Sequence, residues 1–241
     1  MPSKNNSRFL LAGDSALVIQ FGEVVDAAIN QNVRKLAAIV KRENINGILD
    51  LVPTMRSLMI HYDPLCVSQS ELKKRIVPLL GKGITLDDDI NRCRIPVCYE
   101  NEYAPDMEEV SKSLGVSASE IIKQHTSVEL EVFMMGFLPG FPYLGLLPEI
   151  FDLPRRVEPR VHVPPRSISV AARQTTIYTI DSPGGWHLIG QTPVDFYDRD
   201  RRNPVLVKAG DKVTFFAINS EEYRAVRRAL MADEYPLMMD C

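Results

Sequence analysis

Five arginines, Arg155, Arg156, Arg160, Arg166 and Arg173, fall within nineteen residues of this chain. A guanidinium group offers paired donors that match the oxygens of a carboxylate or phosphate. Arg155 and Arg160 each follow a proline, Pro154 and Pro159, which restrains the backbone that presents them. These two are read as contacts to an anion or a partner, and Arg156 is expected on a solvated basic face. Upstream lies GFLPGFPYLG, Gly136 to Gly145, and downstream SPGGWHLIGQTP, Ser182 to Pro193. Glycine permits tight turns and close backbone approach, and proline stiffens them. Rigid apolar loops of this kind face a ligand or a partner. The candidate contacts are Gly136, Phe137, Pro139, Gly140, Phe141, Tyr143 and Leu144 in the first loop. In the second they are Pro183, Gly184, Gly185 and Trp186. Trp186 is either a core anchor or an exposed stacking platform.

The four histidines are far apart in sequence and form no HExxH pair, so no metal site is expected. His125 stands at a predicted helix end, where it is either a cap or a polar group at the mouth of a cleft. In the second case it is the candidate for proton transfer. His61 is expected on the solvent side of a strand and His162 in an exposed segment, while the surroundings of His187 look structural.

Other chemistries are absent from the pattern. There is no GxxxxGK[ST] phosphate loop, no GxGxxG after a strand and no GxSxG elbow. The chain has 241 residues, 45% apolar and 24% charged, with a formal net charge of −3, which gives no general attraction to nucleic acid or anionic membrane. No run reaches the roughly 18 apolar residues of a membrane span, and the N-terminal apolar segment is too short for a secretory signal. A cytoplasmic location is expected. Cys66, Cys93, Cys98 and Cys241 lack CxxC spacing and are expected to be free thiols.

The elements that must position these residues fall into two groups. Ala16 to Phe21 reads as a strand, Val25 to Val40 as a helix, 48–52 and 57–62 as strands, and a capped helix starts at Ser68. That order predicts a small α+β domain, 1–88, with the boundary in the polar stretch 85–92. The remainder, 89–241, opens with a strand at Cys93 to Tyr99. Helices at 107–114 and 117–125 follow, and then a period-two strand at 128–134. Short strands at 167–172, 175–180 and 212–218 suggest a barrel or sandwich, closed by a helix from Ser220 to about Ala232.

The blocks GFLPGFPYLG, LPRRVEPRVHVPPRS, QTTIY, SPGGWHLIGQTP and AGDKVTF, in this order, resemble the family of the 5-oxoprolinase B subunit. That family includes the kinase inhibitor KipI and is also described as allophanate hydrolase subunit 1. It is related to half of the carboxyltransferase domain of urea carboxylase. LLAGDSALVIQFG and RIPVCYE extend the resemblance over nearly the whole chain. It implies an α+β fold, with a small N-terminal α+β domain before a cyclophilin-like β-barrel. It also adds Pro164, Ser167 and Gln174 to the candidate contacts. As partners it implies a companion C-type (KipA-like) subunit and a lactam-utilisation subunit. The implied complex opens 5-oxo-L-proline to L-glutamate with ATP and Mg, neither held by this chain alone. The alternatives are a KipI-like inhibitor of a sensor histidine kinase, and a subunit of a urea- or allophanate-type carboxylase. For the inhibitor, Phe137, Leu138, Phe141, Tyr143 and Leu144 would form the apolar docking rim. Arg166, Arg173, Thr176 and Thr179 depart from the family pattern, standing where glycine (and for Thr179 proline) is usual.

Overall fold

The structure is a computed structural model and describes residues 7–82 and 90–232. The chain divides into two compact units, Met1–Asp89 and Ile90–Cys241. The polar stretch 85–92 lies mostly outside the described residues, as does Cys241.

The first unit carries four strands and two helices. In chain order these are β1 (Arg8–Leu11), β2 (Ala16–Gln20), α1 (Ala27–Glu43), β3 (Ile48–Pro53), β4 (Ser57–Tyr62) and α2 (Gln69–Ile76). The strands form an antiparallel sheet in the order β1-β2-β4-β3. Leu58, Ile60 and Tyr62 alternate into the core, where they meet Val33, Leu36 and Val40 of α1. Helix α1 starts two residues later than its apolar spacing suggests, because the Asp26 carboxylate accepts from the Ile29 N–H (3.0 Å) and caps the helix. Its end is set by Asn44 in the left-handed region (φ 45°). The short apolar run at β1 was not expected to form a strand. It is an exposed edge that leans on β2 for its hydrogen bonds.

The second unit is built around a closed barrel. Its elements are β5 (Arg92–Cys98), α3 (Met107–Leu114), α4 (Ala118–Thr126), β6 (Glu129–Met135), β7 (Pro142–Gly145) and β8 (Arg160–Val163). They continue with β9 (Ser167–Ala171), β10 (Gln174–Ile177), β11 (Ser182–Gly184), β12 (His187–Gln191), β13 (Lys212–Ile218) and α5 (Ser220–Met231). Seven strands close in the order β10-β7-β6-β13-β5-β12-β9, and β8 with β11 makes a separate two-stranded arm. Closure removes the exposed edges that an open sheet would present. The barrel, rather than a sandwich, resolves the alternative left by strand spacing. One pair, β13 with β5, is parallel. Ile95, Val97, Leu130, Val132, Ile168, Val170, Val213 and Phe215 fill the interior. Each such side chain contributes roughly 1.5–3 kcal/mol on burial. Helix α5 begins with a complete capping box between Asn219 and Glu222. Among the described residues no helix is long and apolar enough to cross a membrane. Cys66 and Cys98 are free thiols, but Cys93 is disulfide-bonded, which corrects the expectation of free thiols there.

The β9–β10 hairpin turns on two residues, Ala172 (φ 47°) and Arg173 (φ 61°), both left-handed. Two-residue hairpin loops of this hand favour glycine or asparagine. The turn is held by the Ala172 N–H to Leu153 O (2.7 Å) and the Arg173 N–H to Phe151 O (3.0 Å). Ala172→Gly keeps both bonds and removes the Cβ penalty. It is expected to raise stability by about 1 kcal/mol, measured by urea unfolding. An unchanged or lowered midpoint would show that this turn is not strained.

Candidate functional site

Three segments of the second unit meet: the loop between β6 and β7, the segment 154–160 that leads into β8, and the run 182–188 spanning β11 and the start of β12. The first carries GFLPGF. Its Gly136 N–H donates to Phe141 O (3.1 Å), with Phe137 (φ 71°) and Gly140 (φ 70°) left-handed. A Cβ on Gly140 would stand 2.8 Å from Tyr197 Cβ and 3.1 Å from Phe196 O, so this turn fits only without a side chain. Two hydroxyls fasten the loop. Thr179 Oγ1 donates to Pro139 O (2.8 Å) and Thr176 Oγ1 to Pro142 O (2.7 Å).

Beneath it, Phe141, Val163, Tyr178 and Leu188 form a small core of their own, with Leu138 and Tyr143 partly buried against it. The SPGGW run closes on the same cluster, and a Cβ on Gly184 would overlap the Tyr178 hydroxyl. The rings continue outward in sequence. Phe137 lies 5.3 Å from Phe141, Phe141 lies 5.1 Å from Tyr143, and Tyr143 lies 6.0 Å from Trp186, measured between centroids. The Arg155 guanidinium sits over the Trp186 ring at 5.7 Å. Trp186 is 6% exposed, so it is an anchor whose buried ring also carries a cation.

Arg155 is exposed and has no carboxylate partner among the described residues. Burial pushes the Tyr178 hydroxyl up to about 12, the Tyr143 phenol adding to the rise while Arg155 and Arg160 oppose it. Burial likewise raises Tyr143, against the pull of Arg155. Both phenols therefore remain protonated donors at neutral pH, beside a cation that pairs with no acid here. That combination has the chemistry that suits an anion.

Arg160 does not serve as a free anion contact, which corrects that expectation. It forks onto Asp106, with Nη1 donating to Oδ2 at 2.9 Å and Nη2 to Oδ1. Arg156 is not on a solvated face either. Its Nη1 donates to Glu109 Oε2 (2.6 Å) and to Asp106 Oδ1 (3.3 Å). Asp106 is 3% exposed, and its Oδ2 also accepts the Leu188 N–H (2.7 Å). Sequence reasoning missed Asp106. An acid directly before α3 reads as a helix cap, yet its side chain makes no capping bond and turns to the arginines.

The other candidates divide. Of the expected apolar rim, Phe137 (60% exposed) reaches the surface and Leu138 and Tyr143 are half-buried, whereas Phe141 and Leu144 are buried. Ser167 Oγ donates to the carbonyl of exposed Pro164 (2.8 Å), closing a turn. Gln174 is buried opposite Gly145 and Ala171 in the barrel wall. Pro183 is exposed, and Gly185 O accepts the Arg156 N–H (2.7 Å). Arg166 (φ 70°) and Arg173 occupy glycine-like conformations but point away from the ring series, Arg166 to Asp195 (3.0 Å) and Arg173 to Leu147 O (3.1 Å). His162 is exposed beside Asp181, and the His187 Nε2 bonds Pro154 O (3.0 Å). Among the described residues no group of three His, Cys, Asp or Glu could hold a metal ion. Two surface hollows, about 470 and 320 Å³, lie in the first unit, beside Arg8 and Glu23 and along Val40 to Leu51.

His125 is not at a cleft mouth; this corrects its assignment as a proton-transfer group. It is fully buried and stacked on Phe215 at 4.7 Å. The Tyr99 hydroxyl, which burial holds well above its usual titration range, hydrogen-bonds Nδ1 (2.8 Å). Nε2 hydrogen-bonds Thr175 Oγ1 (3.2 Å), so both ring nitrogens have a partner. Burial lowers the imidazole to about 3. Its folded value is depressed below the unfolded one of about 6.5, so the unfolded chain binds the extra proton between those values. Stability is full above pH 6.5 and is expected to fall by about 1 kcal/mol per pH unit as pH drops towards 3. The ring's NMR signals should not titrate between pH 7.5 and 5; a midpoint near 6.5 would place the imidazole in contact with water.

Comparison with known proteins matches residues 7–207 to the carboxyltransferase domain, subdomains C and D. The chain is 38% identical over 226 residues to the 5-oxoprolinase B subunit of Bacillus subtilis, covering 89% of this chain and 94% of that protein. It is 33% identical over 210 residues to the 5-oxoprolinase B subunit of Escherichia coli O157:H7, covering 87% and 95%. The urea amidolyase of K. lactis superposes with a TM-score of 0.80 at 19% identity, over 98% of this chain and 16% of that one, a likeness of fold. With the model spanning most of its length and relatives of matching size, the chain belongs to the carboxyltransferase-domain family, subdomains C and D.

Proposed function

We propose that this chain is the B subunit of a multi-subunit, ATP-dependent 5-oxoprolinase, which opens 5-oxo-L-proline to L-glutamate together with a companion C-type subunit and a lactam-utilisation subunit. The observation that carries the reading is identity with 5-oxoprolinase B subunits along almost the full length of both chains. The second unit is read as a cyclophilin-like barrel, and the protein as cytoplasmic.

The face made by Phe137, Tyr143 and Arg155, backed by the buried Tyr178 and Trp186, suits a small cyclic amide that carries a carboxylate. Arg155 pairs with the carboxylate, the Tyr143 phenol donates to oxygen, and the exposed aromatic surface takes the ring and displaces water. A lactam carbonyl is a poor electrophile, and ATP in the complex supplies activation by turning its oxygen into a leaving group. No phosphate loop occurs in this sequence, so nucleotide binding is assigned to the complex and not to this chain. The kinase-inhibitor reading keeps only part of its docking rim, because Phe141 and Leu144 are buried.

The test is ATP-dependent glutamate release from 5-oxoproline by the complex, assembled with and without this chain. Release is expected only when the chain is present. Arg155→Ala should raise KM by about 10- to 100-fold, the worth of a charge-assisted bond. Glutamate release that is indifferent to this chain would overturn the reading.

A further inference from the structure

We infer that Asp106 is a positioning residue for the ligand face, acting through the segment 154–160 to hold Arg155 over Trp186. Asp106 touches nothing in the ring series itself. Its two oxygens collect Arg156, both arms of Arg160 and the Leu188 N–H, and its own N–H donates to Leu188 O (3.0 Å). The start of α3 is thereby locked to β12, two residues beyond Trp186.

Arg155 lies inside this frame. The carbonyl before it, Pro154 O, is bound by His187 Nε2 (3.0 Å), and the amide after it, the Arg156 N–H, donates to Gly185 O (2.7 Å). The Arg156 side chain then runs back to Asp106 and Glu109, and Arg160 anchors the far end, opposite Gly184. So the backbone on both sides of Arg155 is fixed to the residues flanking Trp186. A guanidinium on an exposed segment would otherwise sample many rotamers. A buried carboxylate that gathers two arginines is costly to build and leaves uncompensated charge when either partner is lost. Here it grips the residue next to Arg155, the one cation of the ligand face without an acidic partner among the described residues. That placement makes it a device for orientation.

Its activity arm rests on the 5-oxoprolinase reading; its spectroscopic arm does not. Trp186 is the sole tryptophan of the chain, so emission excited selectively at tryptophan reports the surroundings of this ring, of which the Arg155 guanidinium is part. The full chain is compared as wild type, Asp106→Asn, Arg155→Ala and the double variant, alone and in the assembled complex. Asp106→Asn should change the Trp186 spectrum in the same direction as Arg155→Ala. In the complex it should raise KM for 5-oxoproline on the order of tenfold or more with a smaller change in kcat. Because Asp106 acts through Arg155, the double variant should be no worse than Arg155→Ala. A wild-type spectrum and KM for Asp106→Asn, or effects that multiply in the double variant, would overturn the inference. Should far-UV circular dichroism show Asp106→Asn unfolded, Arg160→Lys takes its place. It keeps the charge and loses the fork, and is expected to shift the spectrum in the same direction; no shift counts against the inference. If the wild-type complex releases no glutamate, the functional reading fails and the spectra alone decide the role of Asp106.

Discussion

A single buried carboxylate, Asp106, organises the proposed ligand face of this protein. Asp106 could not remain ionised inside the second unit without compensation, since an isolated buried charge is expensive. The compensation comes from two arginines and a backbone amide supplied by sequence neighbours of the ligand face. The electrostatic requirement of one residue thus dictates the path of the segment 154–160. That path in turn leaves Arg155 as the cation with no partner of its own among the described residues, displayed on Trp186.

The departures from the family pattern gain a physical meaning on this frame. Arg166 and Arg173 adopt left-handed conformations that suit glycine, yet their side chains are absorbed by Asp195 and by Leu147 O, away from the rings. Thr176 and Thr179 add hydroxyls that tie the GFLPGF loop to β10 and to the chain just after it. None of the four places a side chain on the ligand face. The changes alter how the loop is held more than what it offers, which is compatible with retained chemistry.

Much of this was legible in the residues. Period-two alternation at 57–62 and 128–134 and the caps Ser68 and Ser117 placed those elements to within a residue or two, while the short strands β7, β8, β11 and β12 among the Pro-Gly segments were not expected. The paired loops were recognisable because glycine and proline mark turns by their own backbone chemistry. What escaped was determined by partners distant in sequence. Asp106 meets Arg160 across fifty-four residues, so nothing in PDMEE distinguishes it from an ordinary helix cap. His125 at a helix end looks the same whether it faces water or Phe215. Only closure of the barrel, which brings Tyr99 and Thr175 to its two nitrogens, places it inside. Arg155 and Arg160 were singled out by their preceding prolines and Arg156 was left to solvent, when the deciding factor was which of them could reach a buried acid.

If three separate segments form one ligand face, a ligand must quiet all three at once. Hydrogen exchange in the assembled complex, with and without 5-oxoproline and a non-hydrolysable ATP analogue, tests this most directly. Ligand is expected to slow exchange together in 136–143, 155–160 and 184–188. Protection confined to residues 7–82, or absent from those three segments while the complex binds ligand, would contradict a shared face.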